Sequence, residues 1–362
     1  MASSQYLSSK AEALASMTPV PPAQARAAQI PLQSFDLPVF PSEAFSAGLQ
    51  SLILTSDIKL EEYADLLTRP FSTPELPPSI KSLTLELFAL GYPPGFLTAL
   101  GKQLPDLKAV TIYSQLFGGT TRESREDAVG FVRFQTEIRE LHLLDVFAPS
   151  GFFVDLSRSL SPSLKFLEVN YTYRHSDPQF LSTIPSVDIG SLISNNLIGL
   201  TLSISAPDVT EDEDDREGTE VGVVPISGTD ARGIAEKLIA DGHGLVMLDS
   251  TMVSLTLPEL GHILDISTRM KVFAFAVALE SGWSELISVL THKDRNLEVL
   301  EIVGVPGEGM VQGLKGGGDL LTNGLLDTLG AKCEGLKSVT VSVLRTRGET
   351  WAREETGWVK KS

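Results

Sequence analysis

A phrase of the form apolar-x-x-apolar-x-apolar recurs about ten times along this chain, and such a recurrence restricts the fold more than any single residue does. It reads LQSLIL from Leu49, IKSLTL from Ile80, LKAVTI from Leu107, IRELHL from Ile138 and LKFLEV from Leu164. It continues as LIGLTL from Leu197, MVSLTL from Met252, MKVFAF from Met270, LEVLEI from Leu297 and LKSVTV from Leu336. Successive starts lie 31, 27, 31, 26, 33, 55, 18, 27 and 39 residues apart, so most coils have room for one strand, one helix and two turns. The second half of each phrase alternates apolar and other residues and is rich in Leu, Val, Ile and Thr, which predicts a short strand. Between phrases, GFLTALGKQL, GFFVDLSRSL, WSELISVL and LLTNGLLDTLG carry apolar residues at three- and four-residue spacing, which predicts helices. An ordinary α/β sheet also alternates strands with helices, but nothing obliges it to repeat one phrase at near-constant spacing.

The phrase L-x-x-L-x-L resembles the strand signature of leucine-rich repeats. That resemblance implies an α/β solenoid, a horseshoe with a concave parallel sheet of about ten strands and outer helices. It covers roughly residues 49 to 345. In the family pattern an Asn or Cys follows three positions after the last leucine and ties down the turn; here Val146 and Thr172 stand in that place. The irregular coils are most similar to the repeat arm of fungal F-box-type proteins, which serves in substrate recognition. The closing RTRGETWAREETGWVKK suits them too, but no F-box is recognisable ahead of Leu49. The expected organisation is a flexible lead-in or N-terminal cap over 1–45, a solenoid over 46–345 and a C-terminal capping tail over 346–362. In that tail Trp351 and Trp358 would cover the last coil.

The 55-residue interval holds PDVTEDEDDREGTEVG, with eight acids and one arginine from Asp208 to Glu220. Such a block has too little apolar surface to fold by itself, which predicts a disordered insertion over 206–231. It accounts for −7 of a formal net charge of −17, leaving −10 on the rest. That balance argues against nucleic acid and against anionic membrane surfaces as partners. No apolar run approaches the roughly 20 residues needed to cross a bilayer. The single cysteine, Cys333, excludes an internal disulfide and fits a reducing, cytoplasmic compartment, with the nucleus as the alternative. Prolines in MTPVPPAQARAAQIPLQ interrupt the amphipathic helix that a mitochondrial presequence needs.

Candidate chemistry is sparse. The glycine-rich run over 304–318 follows a predicted strand, the context of a phosphate loop, yet it lacks the dinucleotide spacing, and no Ser or Thr follows Lys315. His262 and Asp265 can share a helix face, but two ligands do not close a metal site. No G-x-S-x-G elbow is present. The sequon at Asn170 reads as unused in a cytoplasmic chain. No cofactor, metal site or catalytic group is assigned.

Polar residues instead collect on one strand face. If positions one, four and six of each phrase enter the core, positions three, five and seven point away. The fifth column reads Ile53, Thr84, Thr111, His142, Glu168, Thr201, Thr256, Ala274, Glu301 and Thr340. His142 should therefore adjoin Glu168 and Thr111 on neighbouring strands, roughly 5 Å away, with a raised pKa. Glu86, Tyr113, Glu140, Phe166 and Asn170 complete a mixed aromatic and acidic surface. The expected function is a non-enzymatic scaffold that binds a protein or peptide there, a basic one if acidic groups dominate. Two alternatives stand beside it: a nucleotide-binding protein or enzyme built on loop 304–318, and a structural solenoid with no dedicated ligand.

Overall fold

The computed structural model describes residues 27–32, 48–56, 75–86, 91–114, 116–119, 121–146, 148, 150–172, 186–205, 225–280, 282–306, 320–344 and 347–361. The chain divides into two compact units, one over Pro21–Tyr173 and one that includes Arg174–Ser362.

The first unit is a stack of parallel strands in chain order: β1 (Ala27–Leu32), β2 (Ser51–Ser56), β3 (Ser82–Glu86), β4 (Ala109–Tyr113), β5 (Glu140–Val146) and β6 (Phe166–Thr172). Helices α1 (Phe96–Gln103), α2 (Arg122–Phe134) and α3 (Phe152–Ser157) return the chain between them. β1 lies within the expected lead-in and pairs with β2 in parallel. The fourth and sixth residues of the phrase, such as Leu83 and Leu85 or Leu141 and Leu143, are fully buried. A run of aromatic contacts continues the core through successive coils. Tyr92 stacks on Phe96 and meets Phe117 edge-on, Phe117 meets Phe152, and Phe153 meets Tyr171. Gly118 permits this, because a Cβ there would stand 2.6 Å from the Phe152 ring.

What keeps the strands in register is the start of the phrase. Its second residue presents a carbonyl that accepts two N–H groups from the next coil. The Lys81 carbonyl accepts from Lys108 and Ala109, that of Lys108 from Arg139 and Glu140, and that of Arg139 from Lys165 and Phe166. A tight turn precedes most phrases, as in Ile138 N–H to the Gln135 carbonyl and Leu164 N–H to that of Ser161. Ser161 Oγ bonds back to the Thr136 carbonyl of the preceding coil, at 2.5 Å. The strands are thus tied together ahead of their first residues, and Val146, which stands where the repeat pattern expects an Asn, is simply buried. Side chains also fasten coil to coil. The buried carboxylate of Asp127 in α2 accepts from the Leu97 and Thr98 amides at 3.1 and 2.8 Å, satisfying first-turn N–H groups of α1 that its own Gly95 cap leaves open. Lys81 pairs with Asp106, and Lys108 with Glu137, each one coil on.

The second unit repeats the scheme with parallel strands β7 (Gly199–Ser205), β8 (Met247–Leu255), β9 (Val272–Leu279), β10 (Val299–Pro306) and β11 (Ser338–Val343). Its helices are α4 (Ser186–Gly190), α5 (Thr229–Asp241), α6 (Leu257–Ile266), α7 (Trp283–Leu290) and α8 (Asn323–Lys332). The same two-donor carbonyls recur at Ile198, Val246, Lys271 and Glu298. α4 and α5 touch backbone to backbone at Gly190 and Gly233, where a Cβ on either would come within 2.6 Å of the other helix.

Four sequence expectations change here. The phrase placed at Met252 is LVMLDS from Leu245, since β8 begins at Met247 and Leu248 pairs with Phe273. Its sixth residue, Ser250, is polar yet fully buried, which breaks the apolar pattern of the phrase, and the phrase starts 25 residues before Met270. Thr256 accordingly leaves the fifth column, which Asp249 joins; Thr256 instead caps α6, with Glu259 completing a reciprocal capping box. The insertion expected over 206–231 has a structured end: Ile226 bridges Val253 and α5 starts at Thr229, while 206–224 lie outside the described residues. The final change concerns the tail, which folds as an antiparallel hairpin, β12 (Arg347–Glu354) and β13 (Gly357–Lys361), added to β11. Trp351 is buried opposite Val339, whereas Trp358 is only half-buried, with Arg353 6.0 Å from its ring.

Candidate functional site

β4, β5 and β6 place the expected surface residues side by side on the face that the helices of the first unit do not cover. Thr111, His142 and Glu168 pair in register across the three strands, and Glu140 pairs with Phe166. Because alternate residues of a strand share a face, Glu140 and His142 project together, and Glu168 arrives opposite His142. His142 Nδ1 donates to Glu168 Oε2 at 2.8 Å, and Nε2 lies 4.0 Å from Glu140 Oε2. Burial alone would lower the affinity of the imidazole for its proton. The hydrogen bond to Glu168, with the nearby charge of Glu140 and Glu168, outweighs that and pushes His142 up to about 9. At neutral pH the cluster is an imidazolium held between two carboxylates.

Tyr113, 43% exposed, stands on β4 beside Leu144 in register, and Glu86 is exposed at the end of β3. Phe166 and Asn170 are half-buried on β6. All eight expected residues therefore belong to one stretch of sheet, spanning β3 to β6. Strict alternation missed one more. At Asp145, with φ 53°, a bulge shifts the register so that Val146 pairs with Tyr171. The bulge returns Val146 to the core and leaves Asp145 half-buried, adding another acid near this face.

The corresponding face of the second unit is different. Met247, Val272 and Val299 align there and are buried together, and Ala274 and Val303 are fully buried as well. In the first unit the polar, half-exposed version of this face runs across β4 to β6, and in the second it reappears at Glu301, Thr340 and Thr350, in register across β10 to β12.

Asp265, with His262 on α6, is engaged by Lys293 at 2.9 Å and Arg295 at 2.8 Å, which hold its carboxyl at about 2. No group of three His, Cys, Asp or Glu side chains that could hold a metal ion occurs among the described residues. Cys333 is fully buried, and desolvation pushes its thiol up to about 11, far from nucleophilic range. Of the glycine-rich run, Gly304 to Pro306 are the end of β10, and 307–318 lie outside the described residues. No helix among the described residues is long and apolar enough to cross a membrane.

No family model matches the chain. No curated protein matches it either. Among solved structures it is similar to the leucine-rich repeat-containing protein LegL7 from Legionella pneumophila, at 15% sequence identity and a TM-score of 0.42, over 88% of this chain and 92% of that one.

Proposed function

We propose that this chain is a non-enzymatic recognition scaffold that binds a protein or peptide on the helix-free face of β3 to β6. One observation supports the reading above the rest. A preformed Glu140–His142–Glu168 cluster shares an open face with the exposed ring of Tyr113. An aromatic anchor beside fixed charges suits a protein interface, and an open sheet lacks the enclosure that catalysis needs to exclude water. None of the clefts described among these residues is lined by a member of this face. With His142 protonated, Glu86, Glu140 and Glu168 still leave the face acidic, so the favoured partner carries Lys or Arg side chains.

The experiment is binding to a library of immobilised peptides graded from acidic to basic, comparing the parent chain with Tyr113→Ala and with His142→Ala/Glu168→Ala. Basic peptides should be retained by the parent, and retention should fall in both variants while circular dichroism and Tm stay near the parent's. Unchanged retention in folded variants would remove this face as the site.

A further inference from the structure

Between α2 and α3, on the helical side of the first unit, lies a cleft of about 1020 Å³. It gathers Arg122, Arg125, Arg133 and Arg158 in a chain whose formal net charge is −17. Among the described residues two acids, Glu126 and Asp155, line it with them, which leaves a local excess of two positive charges. Asp155 bridges two of the arginines. Its Oδ2 takes Arg125 Nη2 at 2.6 Å and its Oδ1 takes Arg158 Nη1 at 3.2 Å, which brings both guanidiniums to one point. Arg125 is the fixed member, since its Nη1 also reaches the Ser150 carbonyl at 3.4 Å and most of its side chain is covered. Arg122 and Arg158 are largely exposed arms, the former paired with Glu126 at 2.7 Å. Arg133 is exposed and makes no ion pair among the described residues. The positive end of the thirteen-residue helix α2, capped by Thr121, opens on the same cleft.

We propose that this cleft binds a phosphate-monoester dianion. The excess of two positive charges matches a monoester, which carries close to two negative charges at pH 7, and guanidinium forks pair with its oxygens two at a time. Among the described residues no aromatic ring lines the cleft and Val129 is its one aliphatic side chain, so the lining offers a nucleotide base no aromatic platform. A polyanion such as RNA, or an anionic membrane, is repelled by the acidic remainder of the chain. The volume exceeds that of a lone phosphate and leaves room for the group that carries it, either a phosphorylated residue of a protein or a small sugar phosphate.

Titration calorimetry on the full chain at pH 7.5, with a phosphoserine peptide, its unphosphorylated form, a sugar phosphate and inorganic phosphate, tests the assignment. Saturable 1:1 binding of phosphorylated ligands only is the expected result; the peptide binding more tightly identifies a protein source, the sugar phosphate a metabolite. Arg133→Gln/Arg158→Gln should weaken that binding about tenfold or more. Arg139→Gln removes an exposed arginine that lies outside the cleft and should leave binding unchanged. The proposal fails if no phosphorylated ligand binds, if the unphosphorylated peptide binds equally, if RNA or anionic vesicles compete with equal affinity, or if Arg139→Gln weakens binding as much as the double variant.

Discussion

Replacing both carboxylates around His142, as Glu140→Gln/Glu168→Gln, should cost stability in acid solution and nothing in alkaline. The imidazole is raised from 6.5 to about 9 in the folded chain, and at about 1.4 kcal/mol for each tenfold in proton affinity that corresponds to about 3 kcal/mol. The Glu140 and Glu168 side chains are 37% and 35% exposed, so solvent screening reduces the figure to about 1–2 kcal/mol. The sign follows from proton linkage. A raised pKa means that the folded chain holds the proton more tightly, so the stabilisation is complete below about 6.5, declines between 6.5 and about 9, and is gone above that. Urea unfolding of parent and variant at pH 6, 7.5 and 10 measures it: the difference should be about 1–2 kcal/mol at pH 6 and vanish, or reverse slightly, at pH 10. A proton NMR titration, with His142→Gln assigning the resonance among the five histidines, reads the pKa itself. A midpoint near 6.5, or a stability difference independent of pH, would refute the reasoning.

Other perturbations test the packing. Asp127→Ala exposes the α1 amides to a buried loss of their acceptor and should lower stability by about 1–2 kcal/mol in urea melts, with Asp127→Asn recovering part of it. Gly233→Ala drives a methyl against the Val187 amide, 2.6 Å away, and should cost about 1–3 kcal/mol by thermal unfolding. Glu349→Ala strips the Leu320 amide and Lys360 of a buried acceptor. The expected cost is about 2–3 kcal/mol, with hydrogen exchange speeding up most in 347–361. Cys333 should resist an aromatic disulfide reagent in buffer and react in denaturant; fast native labelling would contradict its burial.

The repeat was legible because its apolar positions are decided by burial, and burial is written in residue type. Nine of the ten phrases mark strands that begin two residues after the first residue of the phrase, from Ser51 after Leu49 to Ser338 after Leu336. The tenth was obscured by Ser250, a polar residue in a buried slot, whose neighbours made the wrong frame look better. His142 beside Glu168 was readable for the same reason, since register and alternation together specify cross-strand partners. Asp145 was not, because a bulge breaks alternation at one residue. Nor was the Arg-lined cleft. Arg122, Arg125 and Arg133 come from α2 and Arg158 from the end of α3, and nothing in residue spacing shows that α2 reaches Asp155 of α3. The covered face of β8 to β10 was hidden too, since alanine and valine read equally well as packed or exposed.

The doubly used carbonyl at each phrase makes the two margins of a coil unequal. Within each unit, the turn into a strand is fixed to its predecessor at a constant place, whereas the distance from one phrase to the next ranges from 25 residues upward. Residues can be gained or lost after a strand without moving the following one off its face. A single residue inserted between the first and third positions of IRELHL would instead exchange the faces of β5, burying His142 and exposing Leu141 and Leu143. Length variation in descendants of this chain should therefore accumulate downstream of strands. Insertions made there by design, such as an epitope or a fluorophore tag, should leave the surface around Tyr113 and His142 in place.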